Sequence, residues 1–567
     1  MSDYRILTDY LRRWLEAAPS AGLAISVTDR QRTLYTAGLG YAELASRRPI
    51  TADTTFQIGS IGKSMTALAV LQLVQAGRLD LNAPVSTHLP WFAIPSRFGP
   101  ITLRHLLSHT AGLPAGTDFT PAARYEGFAL RDTEAAWEPG SRFHYSNTGY
   151  KLLGWLLEDI TGQDYGSVIR RRVLEPLGMA ATEPVITHAT RHRMATGYVP
   201  LHDDSPYRQN DTLIPATWME YPVGDGSQAS TADDMARYAR VWLNGGRGDA
   251  GAVASPAMYS MMTAPAISMS RGDAYQHDYG YGFGIISHQA DGHRFIGHGG
   301  STVGFRAIML TDQTDGLGVV IMCNGSDVDT YAPARYALQV AAAIRDDRPP
   351  PEPPSMPDPT QVANGQLYAG TYVDERNGGS LSVSARGDRL LASWTGGEDI
   401  VLEHISGRAF CAPRDDFDPF PLRFRSVHSY RHSRESGNPE SDADTADQSP
   451  MVEIHHGPAV YVRKGDAPLE SDLPGPPEWV AFPGHYRSHA PYVSNFRVVL
   501  RRGRLFLVWP NGGEEMLTPH PSDSGPSPRF LVGSLGEPAA EWLRFDTVVG
   551  SRALRILWAG GGSFYRV

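Results

Sequence analysis

Only two cysteines occur in 567 residues, Cys323 and Cys411. They lie far apart, in segments of different character, and form neither a metal-ligand spacing nor a disulfide framework. Two unpaired thiols fit a reducing compartment. Long apolar runs are also missing. A bilayer needs about 20 consecutive apolar residues, and the longest run here, LGVVIMC, has the length of a buried strand. A basic excess is lacking too: Lys+Arg number 51 against 61 for Asp+Glu, a formal net charge of −10. Nothing electrostatic favours nucleic acid or an anionic membrane as partner. The opening stretch, MSDYRILTDYLRRWLEAAPSAG, lacks the unbroken apolar core of a secretory signal, with Asp3, Asp9, Arg12 and Arg13 interrupting it. It reads as an amphipathic helix with Ile6, Leu7, Tyr10, Leu11 and Trp14 on one side. These absences lead us to expect a soluble, cytoplasmic protein.

What is present is ordinary globular composition, 41% hydrophobic and 20% charged, long enough for two to four domains. RDDRPPPEPPSMPDP (345–359) marks the clearest boundary, because consecutive prolines favour extended, semi-stiff backbone. We expect one α/β domain over 1–345 and a linker over 346–360. In the first, GLAISVTDRQRTLYTAGLG (22–40) reads as strand, turn and strand. Helical patterns follow at 61–76 and 148–161, and another starts near Asp233 behind a Ser/Thr cap. FGIISH (283–288) and FRAIMLT (305–311) read as strands flanking an HGG turn, with LGVVIMC next. Strands from both ends of the domain predict one antiparallel sheet packed with helices.

Beyond the linker, short alternating strands and glycine-rich turns predict all-β structure. The segment is also internally repeated. Gly370 and Tyr372 match Gly484 and Tyr486, Arg386-Gly387 match Arg502-Gly503, Leu390 matches Leu505 and Trp394 matches Trp509, with GGE after each. We expect two small antiparallel β-barrels, at 361–466 and 480–567. A polar stretch at 431–450, nearly without large apolar residues, reads as a disordered insertion in the first.

Three short motifs carry the chemistry. In FQIGSIGKSMT (56–66), Ser60 and Lys63 sit one helical turn apart, at the start of a helix whose Met65, Leu68, Ala69, Val70, Leu71, Leu73 and Val74 predict burial. A lysine on the first turn faces the positive end of the helix dipole, and burial disfavours its charge further. Both effects act towards the neutral amine that a general base requires. The same helix end offers backbone N–H to an oxyanion. Alone, such a tetrapeptide is ordinary and reads as a plain helix start. FHYSNTGY (143–150) adds Tyr145 and Asn147 just before the next buried helix. FIGHGGSTVGF (295–305) adds His298, Gly299 and Gly300, where a glycine pair lets a substrate backbone approach.

The order S-x-x-K, Y-x-N, H-x-G, with ITLRHLLSHTAGLP (101–114) and GRLDLNAPV (77–85), resembles the penicillin-recognising serine hydrolases. The branch in question holds class C β-lactamases, D-Ala-D-Ala carboxypeptidases, D-aminopeptidases and related esterases. The resemblance covers about 1–345. It implies an α/β sandwich with a helical subdomain, β-lactamase/transpeptidase-like, and an active site between the two. It further implies Ser60 as the acylated nucleophile, Lys63 and Tyr145 as its proton-transfer network, Asn147 as a substrate-orienting amide, and the N–H groups of Ser60 and Ser301 as the oxyanion hole. In β-lactamases the third motif is Lys-Thr-Gly, which helps hold a substrate carboxylate. His298-Gly299-Gly300 lacks both the lysine and the hydroxyl, which turns the expectation from β-lactams towards D-aminopeptidases and esterases. D-aminopeptidases resemble this layout, and in them a loop from the last barrel selects substrates. TPHPSDSGPSPR (518–529) is the candidate for such a loop here.

The expected function is a serine hydrolase acting through an acyl-enzyme on amides or esters, first a D-stereospecific aminopeptidase or amidase. A carboxylesterase or weak β-lactamase is the alternative within the family. An inactive hydrolase scaffold used as a binding or sensor protein is the alternative outside it. The substrate is a small molecule or short peptide, and a homodimer is left open. No metal or cofactor is expected. HLLSH places His105 and His109 four apart but lacks the glutamate of H-E-x-x-H, so both read as buried structural histidines. His188, His192, His455 and His456 form no ligand set. A G-x-S-x-G elbow is absent, because position 58 is Ile58.

Overall fold

The computed structural model describes every residue except 1–3, 117–122, 209–210, 221, 270–278, 327, 357, 396, 414–418, 428–448, 472–473, 524–527 and 534–538. The insertion expected at 431–450 falls almost wholly outside the described residues. The chain divides into two compact units. The first holds most of the residues up to Met356; the second holds the remainder of the chain and the segment His202–Arg208.

The first unit is built on a nine-stranded sheet. Its strands are β1 (Gly22–Thr28), β2 (Thr33–Glu43), β3 (Arg48–Pro49), β4 (Ile267–Ser268), β5 (Gly280–Tyr281), β6 (Ile286–Ala290), β7 (His293–Thr302), β8 (Phe305–Asp312) and β9 (Leu317–Cys323). The order across the sheet is β3-β2-β1-β9-β8-β7-β6-β5-β4. Strands from the two ends of the unit meet at its centre, where Leu23 pairs with Cys323 and Thr28 with Gly318, antiparallel. Every residue of β1 and β9 is buried, so both faces of the sheet are covered. That double cover is why LGVVIMC reads as a continuous apolar run rather than an alternation. Leu23, Ile25 and Val27 pack with α1 (Arg5–Ala17), through Tyr10, Leu11 and Trp14, and with a C-terminal helix, Tyr331–Arg345. Ala24, Val320 and Met322 face the opposite way, towards α2 (Gly62–Gln75) and the helix Ala232–Leu243.

Local chemistry sets the element ends. Asp29 closes the β1–β2 turn by accepting from the N–H groups of Gln31 and Arg32, both at 2.7 Å. A short helix, α3 (Leu103–Leu107), precedes α4 (Asn147–Thr161). The Ser146 hydroxyl caps α4 by accepting from the Gly149 N–H at 3.1 Å. Thr231 does the same for Ala232–Leu243, through the Asp234 N–H. The HGG stretch does not form a turn. His298-Gly299-Gly300 runs inside β7, with Gly299 opposite Ile308 and Gly300 opposite Ala307. Among the described residues, no helix is long and apolar enough to cross a membrane.

The second unit holds two antiparallel sheets of related form. The first has nine strands: β10 (Gly370–Asp374), β11 (Ser380–Arg386), β12 (Arg389–Trp394), β13 (Ile400–Val401), β14 (Glu403–Ser406), β15 (Ala409–Cys411), β16 (Leu422–Arg425), β17 (Glu453–His456) and β18 (Ala459–Arg463). Its edge strands, β13 and β14, are separated in the chain by Leu402 alone. The sheet therefore curls until its edges are neighbours, one step short of closure. The second is a closed barrel of β19 (Gly484–Arg487), β20 (Asn495–Arg501), β21 (Arg504–Val508), β22 (Glu514–Pro519), β23 (Arg529–Val532), β24 (Trp542–Val549), β25 (Arg552–Trp558) and β26 (Gly562–Arg566). The repeated tyrosines keep the same geometry. Tyr372 donates to Tyr368 O and Tyr486 to Phe482 O, each four residues back and each at 2.7 Å.

A buried ionic cluster joins the two sheets of this unit. Arg501 makes a two-pronged contact with Glu514 at 2.9 and 3.0 Å and donates to Gly457 O. Arg502 reaches Glu453 at 2.9 Å and Glu375 at 2.7 Å. Burial acts to raise the Glu514 pKa, but the Arg501 guanidinium outweighs it and holds the carboxyl at about 2, below its ordinary 4.5. The pair thus contributes fully above about pH 4.5 and loses its contribution as pH falls towards 2. Arg501→Met strands a buried carboxylate and is expected to cost about 3–5 kcal/mol. Amide hydrogen exchange on the intact chain checks this: β20–β22 lose protection while β7–β9 keep theirs. Equal protection in β20–β22 would show that the cluster adds nothing.

Candidate active site

Ser60 lies in a single 3-10 turn, Gly59–Ile61, that runs directly into α2. Two glycines make this turn possible. Gly59 has φ +50°, and a Cβ there would lie 2.7 Å from Ser301 N. A Cβ on Gly300 would lie 1.9 Å from Ile58 O. Strand β7 therefore packs backbone to backbone against the serine turn, which brings the N–H groups of Ser60 and Ser301 into one neighbourhood. The two glycines of the third motif differ in role. Gly300 is consumed by this internal contact, and Gly299 is the exposed one.

The helical spacing delivers Lys63 to Ser60. Lys63 is fully buried, and its Nζ donates to Ser60 Oγ at 3.0 Å and to the Asp225 carbonyl at 2.6 Å. Nζ also sits 4.9 Å from the centre of the Tyr145 ring and 5.8 Å from that of Tyr150. The Tyr145 hydroxyl is buried and makes no hydrogen bond of good geometry. Burial pushes its pKa up; the nearby Ser60 hydroxyl acts in the opposite sense and the Asp225 charge adds to the rise. Tyr145 is therefore a neutral phenol in the resting site. Asn147 opens α4. Its N–H donates to Ala115 O at 2.6 Å and its side-chain Nδ2 to Gly116 O at 3.0 Å.

His298 is buried beside Tyr145, their ring centres 6.2 Å apart. Its Nε2 lies 3.2 Å from the Tyr281 hydroxyl, and its Nδ1 2.5 Å from Gly299 O. Burial lowers its pKa to about 4; the Gly299 carbonyl opposes this and Lys63 reinforces it. The imidazole is neutral near pH 7.

Three residues of this site escape sequence reading. His109 belongs to it, although HLLSH offered it only as a structural histidine. It lies past the end of α3, and its ring packs on Tyr145 at 4.2 Å, Tyr281 at 4.7 Å and Tyr150 at 5.0 Å. His105 does fit the structural reading, accepting from the Thr102 N–H at 3.2 Å. Tyr281, in YGYGFG, joins His109 to His298. Asp225, in Gly224-Asp225-Gly226, supplies its carbonyl to Lys63, and a backbone acceptor leaves no side-chain signature in a sequence.

The loop expected over 518–529 belongs to the second unit. Arg529 clasps Asp523 at 2.9 and 3.0 Å, and 524–527 fall outside the described residues. For metal ligation, one trio among the described residues brings its atoms within 4.8 Å, His293, Asp312 and Asp315. Asp312 there already accepts the N–H groups of Thr314 and Asp315, and Arg345 pairs with Asp315. The trio ties the β8–β9 turn to the start of β7.

A family model described as Beta-lactamase matches residues 11–344. Penicillin-binding protein 4 of Amycolatopsis lactamdurans is 30% identical over 378 residues, covering 64% of this chain and 94% of its own. Penicillin-binding protein 4* of Bacillus subtilis (strain 168) is 25% identical over 389 residues, covering 64% and 81%. Among solved structures, the octameric penicillin-binding protein homologue from Pyrococcus abyssi superposes with a TM-score of 0.56 at 24% identity, covering 81% of this chain and 100% of that one. That likeness speaks to the fold. With the family match spanning more than half its length, the chain belongs to the β-lactamase family, a serine hydrolase family with the β-lactamase/transpeptidase-like fold.

Proposed function

We propose that Ser60 is the nucleophile of a hydrolase that cleaves amides or esters through an acyl-enzyme. The observation that carries this is the 3.0 Å contact between buried Lys63 Nζ and Ser60 Oγ, with Tyr145 beside both. With Lys63 as a neutral amine that gives one hydrogen to the Asp225 carbonyl, the Ser60 hydroxyl turns to donate to the Nζ lone pair, Oγ attacks the substrate carbonyl and its proton passes to Lys63. The N–H groups of Ser60 and Ser301 receive the developing oxyanion. The raised pKa of Tyr145 favours Lys63 over a tyrosinate as the resting base; Tyr145 then acts as a relay, giving its hydrogen to the leaving amine or alcohol as it takes one from the Lys63 ammonium. Water then attacks the acyl-enzyme, giving a proton to the regenerated Lys63 amine, which returns it to Ser60 Oγ as the acid product leaves. The Asn147 amide, anchored through Nδ2, directs its oxygen to the substrate.

The substrate we propose first is a short peptide or amide with a D-configured residue at a free N-terminus. His298, Gly299 and Gly300 offer no cation to a substrate carboxylate, which argues against recognition of a peptide C-terminus. The exposed backbone of Gly299 offers an edge instead. An esterase is the second reading, because a site without a carboxylate clamp places little demand on the leaving group. The p-nitroanilides of D-Ala and L-Ala, set beside p-nitrophenyl acetate, separate the two. Turnover of D-Ala over L-Ala by about 100-fold, the ceiling of one well-shaped pocket, is the expected result. Cleavage of the acetate alone would make the protein an esterase.

A further inference from the structure

We propose that His109 and Tyr281 are positioning residues. With His298 they form a directed hydrogen-bond chain that ties the backbone of Ser146, in the Tyr-x-Asn turn, to the backbone of Gly299, in strand β7. The chain thereby holds the two walls of the Ser60 site at one spacing. This rests on the reading of Ser60 as the nucleophile.

The direction of the chain is forced at both ends. At one end the Ser146 N–H donates to His109 Nδ1 at 3.0 Å, and a backbone N–H can only donate. His109 is therefore unprotonated at Nδ1 and, as a neutral ring, carries its proton on Nε2. Nε2 faces the Tyr281 oxygen at 3.2 Å and donates to it. At the other end Gly299 O can only accept, so His298 carries its proton on Nδ1, 2.5 Å away. His298 Nε2 is then a bare acceptor, 3.2 Å from the Tyr281 hydroxyl, which supplies the remaining hydrogen. Each of the three side chains donates once and accepts once along the chain. Tyr150 spends its own hydrogen on Leu107 O at 2.7 Å, so towards Tyr281, its hydrogen-bond neighbour, it can only accept and cannot reverse the chain.

A second observation supports a positioning role. His109 holds a left-handed backbone, φ +56°, while almost fully buried. A non-glycine residue is strained there, and such strain persists where the surroundings require it. The strained turn is what aims Nδ1 at Ser146 and Nε2 at Tyr281. It also follows that His298 acts through its strand. Both of its nitrogens are engaged, so it neither takes the Ser60 proton nor gives one to the leaving group. The groups facing the chain are Lys63 from α2, His144 and Tyr145 from the segment before α4, and Tyr150 from α4.

The test uses the full chain. Tyr281→Phe keeps the ring and removes both central bonds. Its kcat on p-nitrophenyl acetate is expected to fall about 10- to 100-fold, the cost of a small misplacement, with KM nearly unchanged. The acid limb of its pH profile should move upward, because neutral His298 loses a bond that favoured it. A fluorophosphonate should still label Ser60. His109→Gln can accept at one end and donate at the other; His109→Met can do neither. The glutamine variant should recover at least about ten-fold of what the methionine variant loses. An unchanged Tyr281→Phe profile, or equal losses in the two His109 variants, would overturn the proposal. If Tyr281→Phe does not fold, the His109 pair decides. Imidazole ¹⁵N spectra of the wild-type protein read the tautomers without turnover: Nε2–H at His109 and Nδ1–H at His298. Opposite tautomers would end the proposal even with Ser60 active. An unlabelled, inert protein with these tautomers would end the nucleophile reading and leave the chain intact.

Discussion

Ser60→Ala is expected to lower kcat about 10⁶-fold, the loss seen when the nucleophile of an acyl-transfer site is removed. The reason is local. Lys63 Nζ lies 3.0 Å from Ser60 Oγ, one helical turn away, and alanine removes that oxygen and nothing else. The alanine methyl fits the same space, and Gly59, Ile61 and Gly300 keep their backbone packing, so the fold should survive. Labelling by a fluorophosphonate should vanish with activity. Near-normal turnover in the purified variant would remove Ser60 from the chemistry. Loss of labelling in the wild-type protein, with both fluorophosphonate and penicillin, would instead favour a scaffold that binds without cleaving.

Tyr145→Phe should cost about 10³- to 10⁴-fold in kcat, the upper range for one positioned proton-transfer group. The substitution is unusually clean. The ring keeps its 4.9 Å contact with Lys63 and its 4.2 Å packing on His109. Only a buried hydroxyl without a well-formed hydrogen bond is lost. Removing such a group relieves a desolvation cost, so thermal stability should hold or rise while activity collapses. That divergence is the diagnostic result. A loss below ten-fold would place the proton path elsewhere, and a fall in Tm parallel to activity would mark the hydroxyl as structural.

The motif that began as a plain helix start proves legible because helices are local. Three residues of spacing suffice to put Lys63 against Ser60, and the apolar run behind them sets the burial. The β1–β2 hairpin and the double-covered β9 are readable for the same reason: their patterns lie within a few residues. What fails is whatever depends on distant partners. His298-Gly299-Gly300 read as a turn because glycines show no alternation, yet pairing with Gly297–Thr302's neighbours on β8 makes it strand. His109 was judged on a helical spacing to His105, but the helix ends at Leu107 and the backbone then turns left-handed. The barrel repeat was legible from its Tyr, Gly and Trp spacing. That the first copy stops short of closure was not, since it turns on the separate two-residue strand Ile400–Val401.

The close packing of Gly59 against Ser301 also has a meaning in time. A ribosome makes Ser60 and Lys63 early, but the strand that completes their surroundings is made roughly 240 residues later, a delay of roughly 10–50 s at ordinary synthesis rates. Until β7 arrives, and β9 has docked on β1, the serine turn has no wall to press against. On the proposed reading of Ser60, the nascent chain carries its serine unarmed, and reactivity is switched on by the completion of the sheet rather than by the synthesis of the residue that bears it.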